Sequence, residues 1–473
     1  MSARISRRTF GARLEHMIHQ LRGRILNGTY AENDYLPSES ALAKQFQLSN
    51  NSVRKGLEAL VEEGLIVKVD KVGSRVIAVS DRERTTITIA CHPSIERDLE
   101  FSTLLEDFHR EYPAIRVQPV AGKALGITAN RFFSDTVREC IENESVDLFT
   151  VNHSDFSDFV GQGWTGLLEP LPVDGDTYPF LTEAFSVNGT PLVSPLLFSP
   201  VVLCYNKDHF AEAGILTPDS SWTWEHLLRA AAKLAIPGRR HGFHFFQLSE
   251  NRWPLFLLQS GARFERNAEG GYSPTDGAKL MEGIRLYGDI TRNRDVFPSY
   301  LPENEPEASR LFAEGKVSMQ LATYNSLNDL KRSGVRYDIA PVPYPAASRT
   351  PATLAIAIGL LASGRSKHKE AVKLFASYAA SRHAQQLLRE RTLSIPASKP
   401  AAEAAVHKDD GLNRPEHFRL FREIIPSYRW HADLGLPIRL LQPLHHQLKM
   451  YWSDMTDEDA LLEQLSRLSG DSD

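Results

Sequence analysis

The sequence predicts a multidomain chain in which an N-terminal winged helix (α+β) of about 80 residues precedes a much larger α/β body. Three observations predict it. Capped helical stripes and a glycine-bearing hairpin succeed one another between Phe10 and Val79. From Thr86 onward, short strand-like runs alternate with helical patterns, as an α/β architecture requires. The length of 473 residues exceeds one ordinary domain and suggests about three core-sized units.

Composition supports a soluble globular chain, with 42% hydrophobic and 24% charged residues. No apolar run approaches the length of a membrane span. Arg4, Arg7, Arg8 and Arg13 are not followed by the apolar stretch a secretory signal needs, so a cytoplasmic location is expected. Cys91, Cys140 and Cys204 are too widely spaced for a disulfide framework or a zinc cluster, and reduced thiols are expected. The net charge of −5 argues against a nucleic-acid partner, but its distribution argues the other way. Residues 1–80 carry 12 Lys+Arg against 8 Asp+Glu, a balance of +4 that leaves −9 for the remainder. A basic head on an acidic body suits a DNA reader joined to something else, although an excess of this size is also ordinary scatter.

In the head, Phe10, Leu14, Met17/Ile18, Leu21 and Ile25/Leu26 recur at helical steps, and Asn27-Gly28 supplies a stop. Pro37 disfavours helix at Leu36, Ser38 caps the next helix, and Glu39 complements its dipole. That helix is short and ends near Phe46. A second cap at Leu48-Ser49 opens a helix whose apolar stripe is Val53, Leu57, Leu60 and Val61, closed by Gly64. Polar Asn50, Asn51 and Ser52 begin it, and Arg54 and Lys55 follow one turn later. This is the layout in which the second helix enters the DNA major groove, with long cations reaching phosphates or guanine edges. The runs 65–69 and 75–79 then read as a hairpin whose tip carries Lys71, Gly73 and Arg75. Gly73 lets the tip approach a DNA backbone closely. The competing reading is a small packing module with no DNA role.

The string from Leu36-Pro37-Ser38-Glu39 through Ser52-Val53-Arg54, Leu57, Leu60, Gly64-Leu65-Ile66 and Val72-Gly73 resembles the winged-helix domain of the GntR family of bacterial regulators over nearly all of residues 12–79. The resemblance implies DNA contacts at Ser49, Asn51, Ser52, Arg54 and Gly73. With Ser38, Asn50, Lys55 and Lys71 these form the candidate DNA-binding set. Ser40 and Asn50 stand where family members usually carry cations, which implies weaker phosphate attraction from these positions and a different base preference.

In the body, 86–91 reads as a strand, 101–111 as a helix, 115–120 as a strand, 130–142 as a helix and 146–151 as a strand. Three stretches carry a second resemblance. They are Val146-Asp147-Leu148-Phe149-Thr150 with Gly163-Trp164; Tyr205-Asn206-Lys207-Asp208 with Phe210, Ala213-Gly214-Ile215 and Ser221-Trp222-Thr223-Trp224; and Phe312-Ala313-Glu314-Gly315-Lys316 with Met319. They are similar to the extracellular solute-binding proteins of ABC importers, in the sugar-binding group, over about 86–400, with a helical tail beyond.

That resemblance implies a two-lobed, periplasmic-binding-protein-like (type II) α/β domain with ligand in the cleft. The expected division is a head over 1–80, a linker over 81–86, and an effector domain over 87–473. Lobe I would hold about 87–198 and 350–395, and lobe II about 199–345 and 400–473. Positions corresponding to the family's cleft loops are Asn152 and Asp155, Phe198 and Ser199, Trp253, Tyr324 and Asn325, and Trp430. Sugars are held by aromatic faces and planar polar side chains, although a core role for each aromatic is equally open. Trp222 and Trp224 are set aside as packing around Thr223, which looks like a helix cap.

No nucleophile, metal-ligand or phosphate-loop motif occurs, so no catalytic residue, metal or cofactor is expected. His241, His244, His445 and His446 lack ligand-spaced company. The expected function is a ligand-responsive DNA-binding regulator, dimeric on a two-fold operator, sensing a mono- or oligosaccharide. One alternative fuses such a head to a pyridoxal-phosphate enzyme-like body, which needs a Schiff-base lysine. The other is a transport-associated binding protein.

Overall fold

A computed structural model of the chain describes residues 7–26, 29–62, 64–69, 72–77, 85–120, 132–347, 351–405 and 411–469. It forms two compact units, residues 1–88 with 105–118, and residues 89–104 with 119–473. No helix among the described residues is long and apolar enough to cross a membrane.

The first unit contains three helices and a hairpin: α1 (Arg7–Leu26), α2 (Glu39–Phe46), α3 (Asn50–Glu62), β1 (Ile66–Val69) and β2 (Gly73–Val76). The helical stripes meet in one core of Met17, Leu21, Ile25, Leu42, Val53, Leu57 and Leu60, which Ile66 and Val76 close from the hairpin. Ser38 caps α2 by accepting from the Ala41 amide at 3.2 Å. Ser49 caps α3, its hydroxyl accepting from the Ser52 amide at 3.2 Å. Gly64, at φ 69°, ends α3 in a left-handed turn, with the Leu65 amide bonded to the Leu60 carbonyl at 3.0 Å. The hairpin has an unforeseen third member. Leu36 N donates to Ser74 O and Val76 N to Asp34 O, so the connector before α2 pairs with β2. The side chains of Phe10 and Leu26, and residues Asn27, Gly28 and Lys71, lie outside the described residues.

The first unit also takes residues 85–88 of β3 (Thr85–Ala90) and 115–118 of β4 (Ile115–Val120), and the second is built on the end of β3 with β5 (Leu148–Asn152), β6 (Val193–Asn206), β7 (His241–His244), β8 (Val317–Thr323), β9 (Tyr337–Ala340) and β10 (Thr353–Ser363). One mixed sheet runs β7-β8-β6-β10-β5-β3, with β9 also on β6. Strand β6 has all 14 residues buried, which is why its sequence is mostly apolar on both faces rather than alternating, with Ser194 and Ser199 as buried exceptions. Its first half pairs antiparallel with β10, from Val193↔Leu361 to Pro200↔Ala355. Its second half pairs with β8 and β9, as in Val201↔Thr323 and Leu203↔Ala340. β6 and β10 thus connect two separate cores. One packs β7 and β8 with the helices Trp224–Leu234, Pro254–Ser260 and Gly277–Arg292 and the C-terminal pair Leu441–Trp452 and Glu458–Ser466. The other gathers Phe149 and Val151 of β5 with Val137, Ile141, Phe156, Phe159, Phe185 and Phe198.

Helix Phe101–Glu111 and strand β4 match their expected bounds, while helix Phe133–Glu142 and strand β5 begin later than expected. Thr223 is a helix N-cap as expected, and Trp224 beside it is buried with its Nε1 donating to Gln259 Oε1 at 2.8 Å.

Candidate functional site

The head presents one polar surface at the start of α3. Asn50, Asn51, Arg54 and Lys55 are exposed there. Arg54 Nε lies 2.7 Å from Glu39 Oε2, so its guanidinium is held at the surface by an exposed ion pair that water screens. Ser38 and Ser49 are exposed but occupied as caps. Ser52 departs from expectation. It is only 6% exposed and its hydroxyl lies 2.6 Å from that of Ser49, so it completes the cap and faces inward. Gly73, at φ 142°, occupies backbone space that side chains rarely enter, beside the 63%-exposed Val72 at the hairpin tip.

Within the second unit, a cavity of about 220 Å3 opens at the ends of the body strands. One wall comes from the segments that leave β3 and β5: His92, Ser94, Arg97 and Asp98, then Asn152, His153 and Ser154. The other wall carries Asn251, Glu305 and Asn325, and Ile356 and Ile358 of β10 form an apolar floor. His431, from the segment before the C-terminal helices, completes it. Ligand crevices in α/β sheets form outside the carboxyl ends of strands, where loops can bring polar groups together.

Charges in this cleft come as pairs. Arg97 Nε bonds Asp98 Oδ1 at 2.7 Å and its Nη1 reaches Asp329 at 3.6 Å. Burial opposes the Arg97 charge, but Asp98 and Asp329 outweigh it and hold the guanidinium above its ordinary range. Asp329 is pushed up to about 6, by burial first, with Arg97 opposing and Glu305 and Asp98 adding. Arg252, fully buried, pairs with Glu305. The histidines are pushed down instead. Burial takes His153 to about 4, helped by His431 and opposed by a backbone hydrogen bond to Ala184. Burial likewise lowers His92 and His431. All three are neutral at pH 7.

This gives an acid-sensitivity prediction. The His153 value falls from 6.5 to about 4 on folding, so below pH 6.5 the unfolded chain takes up a proton that the folded chain refuses. Stability is therefore full above pH 6.5 and declines toward pH 4. The decline due to this residue is about 2 kcal/mol at pH 5. His153→Gln lacks that term. Urea titrations at pH 7.5 and pH 5 should show wild type losing about 2 kcal/mol more than the variant, and equal losses would place His153 outside the buried, neutral class.

The expected ligand residues divide. Asn152 and Asn325 line the cavity. Asn325 N donates to Ser199 Oγ at 2.8 Å, so Ser199 stands behind the wall and is fully buried. Trp430 packs on the imidazole of His153 with ring centroids 4.4 Å apart. Asp155 closes a capping box with Asn152, and burial pushes its carboxyl up to about 7, opposed by the Asn152 amide and aided by Glu250 and Asp158. Phe198, Tyr324 and Trp253 are core residues with no more than 1% exposure. Phe198 packs among Tyr178, Phe180 and Phe421. The Tyr324 hydroxyl donates to Phe418 O at 2.9 Å, and Trp253 stacks on His445. His92, Ser94, Arg97, Asp98, His153, Asn251, Glu305 and His431 were not foreseen. For His92 a signal existed, since it ends a predicted strand as Asn152 does.

A crossed sheet joining two cores, with a polar cleft at its strand ends, defines the two-lobed solute-binding fold. Residues 135–415 match the model of the bacterial extracellular solute-binding proteins, and the chain belongs to that family. Residues 14–76 match the bacterial regulatory proteins of the gntR family, so a gntR-type DNA-binding domain is fused to a solute-binding domain. Among solved structures, a Listeria monocytogenes ABC substrate-binding protein in complex with cycloalternan superposes with a TM-score of 0.65 at 19% identity, covering 81% of this chain and 97% of that one. A Thermus thermophilus maltotriose-binding protein bound with maltotriose gives 0.63 at 21% identity, covering 80% and 98%. These likenesses show the fold. A Brucella abortus chain named only as a binding protein is 26% identical over 254 residues, 52% of this chain and 55% of its own length. The sn-glycerol-3-phosphate-binding periplasmic protein of Rhizobium meliloti is 28% identical over 165 residues, 33% of this chain and 37% of its own. The match thus spans about half, or less, of these relatives.

Proposed function

We propose that this chain is a cytoplasmic, ligand-responsive transcription regulator, in which a small solute bound in the body's cleft shifts the operator affinity of the winged head. The observation that carries it is the joining, in one chain, of a gntR-type head to a solute-binding domain whose cleft is lined by polar side chains. A mono- or oligosaccharide is the proposed effector, supported by the cycloalternan and maltotriose complexes of the structural relatives. The functional division is 1–80, 81–86 and 87–473, and a homodimer on a two-fold site would match paired half-sites.

A ligand can move DNA affinity only by binding two conformations of the protein unequally, typically with about 1–3 kcal/mol of coupling. The test is fluorescence anisotropy of DNA selected from a random pool by the full chain, titrated with and without sugars that raise its melting temperature. The reading requires affinity to change by about 5- to 150-fold, and equal affinity with saturating ligand would defeat it. Arg54→Ala should weaken the same DNA by about 1–3 kcal/mol. Unchanged binding would remove α3 as the recognition helix.

A further inference from the structure

The hydrogen-bonding state of the cleft defines what kind of small ligand it can take, and this inference rests on the effector reading above. His153 and Asn325 line the cavity, are 7% and 5% exposed, and carry polar atoms, Nδ1 and Oδ1 respectively, that have no hydrogen-bond partner among the described residues. Leaving a buried polar atom unpaired is costly, so such atoms mark where a ligand completes the site.

Their polarity is fixed by their neighbours. The neutral His153 ring has one N–H, and its bond to the Ala184 carbonyl consumes it. Since Nδ1 has no partner, that bond is made by Nε2, and Nδ1 is left as a lone pair. The Asn325 amide turns its Nδ2 toward Asp98 Oδ2, at 3.5 Å, which leaves Oδ1 as an acceptor. Ser154 follows the same logic. His431 Nε2 lies 2.8 Å from the Glu250 carbonyl and must donate to it, so His431 Nδ1 accepts from the Ser154 hydroxyl at 2.9 Å. Ser94 donates its hydroxyl hydrogen to Asp98 Oδ2 at 2.7 Å. Ser154 is therefore left with oxygen lone pairs, whereas the Ser94 oxygen is also met by His92 Nδ1 at 3.0 Å. Both cations are already committed, Arg97 to Asp98 and Asp329, and Arg252 to Glu305.

We propose that the cleft takes a compact, uncharged polyhydroxyl ligand of single-sugar size, whose hydroxyls donate to His153 Nδ1 and Asn325 Oδ1, and that it discriminates against the phosphate ester of the same ligand. Hydroxyl groups supply the hydrogens that these two acceptors lack, and their oxygens can accept from the amide groups of Asn152 and Asn251 in the same lining. A phosphate supplies only further lone pairs and negative charge, and among the described residues of the cleft it finds no guanidinium without a carboxylate partner. Burying it would strip water from the anion without repayment. The three carboxylates, Asp98, Asp329 and Glu305, outnumber the two guanidiniums by one, which further opposes an anion. A volume of about 220 Å3 also lies below the roughly 300–1,000 Å3 typical of pockets for larger ligands.

The test is calorimetric titration of the full chain with aldoses, ketoses and alditols, each beside its phosphate ester where one exists, as in glucose and glucose 6-phosphate or glycerol and glycerol 3-phosphate. The expected result is binding of at least one neutral member, at least tenfold tighter than its ester. His153→Phe and Asn325→Leu, each checked for native circular dichroism, should each weaken that neutral ligand tenfold or more. An ester that binds more tightly than its parent overturns this inference and leaves the effector reading standing. Neutral binding undiminished in both variants overturns the acceptor assignment. Absence of binding across the panel overturns this inference, and absence of binding by maltotriose and cycloalternan as well would overturn the saccharide reading.

Discussion

Replacing Arg439 by methionine is expected to destabilise the larger unit by about 3 kcal/mol. The guanidinium holds three parts of one corner together. Its Nε lies 3.0 and 3.1 Å from the two oxygens of Asp158, its Nη2 lies 2.7 Å from Asp135, and its plane lies 4.8 Å from the Phe132 ring. Asp158 is 4% exposed and is otherwise met by the Ser134 hydroxyl. Removing the cation strands a buried carboxylate, and breaking such a pair from one side costs about 3–5 kcal/mol. The lower end is expected because the Arg439 side chain is 27% exposed and partly screened by water. The measurement is urea unfolding followed by tryptophan fluorescence, which reports on this unit alone because all six tryptophans lie between Trp164 and Trp452. Adding Asp158→Asn to the methionine variant should recover part of the loss by removing the orphaned charge. A single variant as stable as wild type would show that solvent already carries Asp158.

The contrast between head and body shows what local sequence can reveal. In the head each signal acts within a few residues. Ser38, Ser49 and Gly64 punctuate helices whose apolar faces are periodic, so helices and hairpin were legible. What escaped was the pairing of 33–36 with β2, because the connector has no strand pattern of its own and is recruited by the hairpin edge. In the body, alternation was enough for the α/β class. The family resemblance named Asn152 and Asn325 in loops that follow strands, and His92 holds the matching place after β3. No local rule reaches Arg97, Asp98, Glu305 or His431. They matter through partners such as Asp329 and Arg252, or through Glu250, far along the chain. Three of the four aromatics proposed for the cleft lie in the core instead. Sugar chemistry favours exposed rings, but Phe198 lies in the middle of a strand buried on both faces. Tyr324 spends its hydroxyl on Phe418 and on the Phe421 amide, which ties it to the core.

Trp253→Ala should cost about 3–5 kcal/mol, the range for removing a large aromatic from a core. Trp253 is 1% exposed, precedes helix Pro254–Ser260 as its N-cap residue, and stacks on His445 with centroids 4.8 Å apart and planes 11° from parallel. The pH dependence of that cost separates a core role from generic damage. Burial holds His445 down at about 4, with Lys449 contributing, against an ordinary 6.5. In wild type the unfolded chain takes up this proton between pH 6.5 and pH 4 while the folded chain does not, so stability falls with acid. Truncating the indole opens the ring to water, returns His445 toward 6.5, and relieves the variant of that fall. The gap between wild type and variant should therefore narrow by about 1–2 kcal/mol from pH 7.5 to pH 5. A gap that stays constant with pH would mean that Trp253 is not what keeps His445 dry. Trp253→Phe, which retains an aromatic plug, should keep the ligand affinity of wild type while losing part of its stability. A loss of affinity without a loss of stability would instead make the indole a ligand platform.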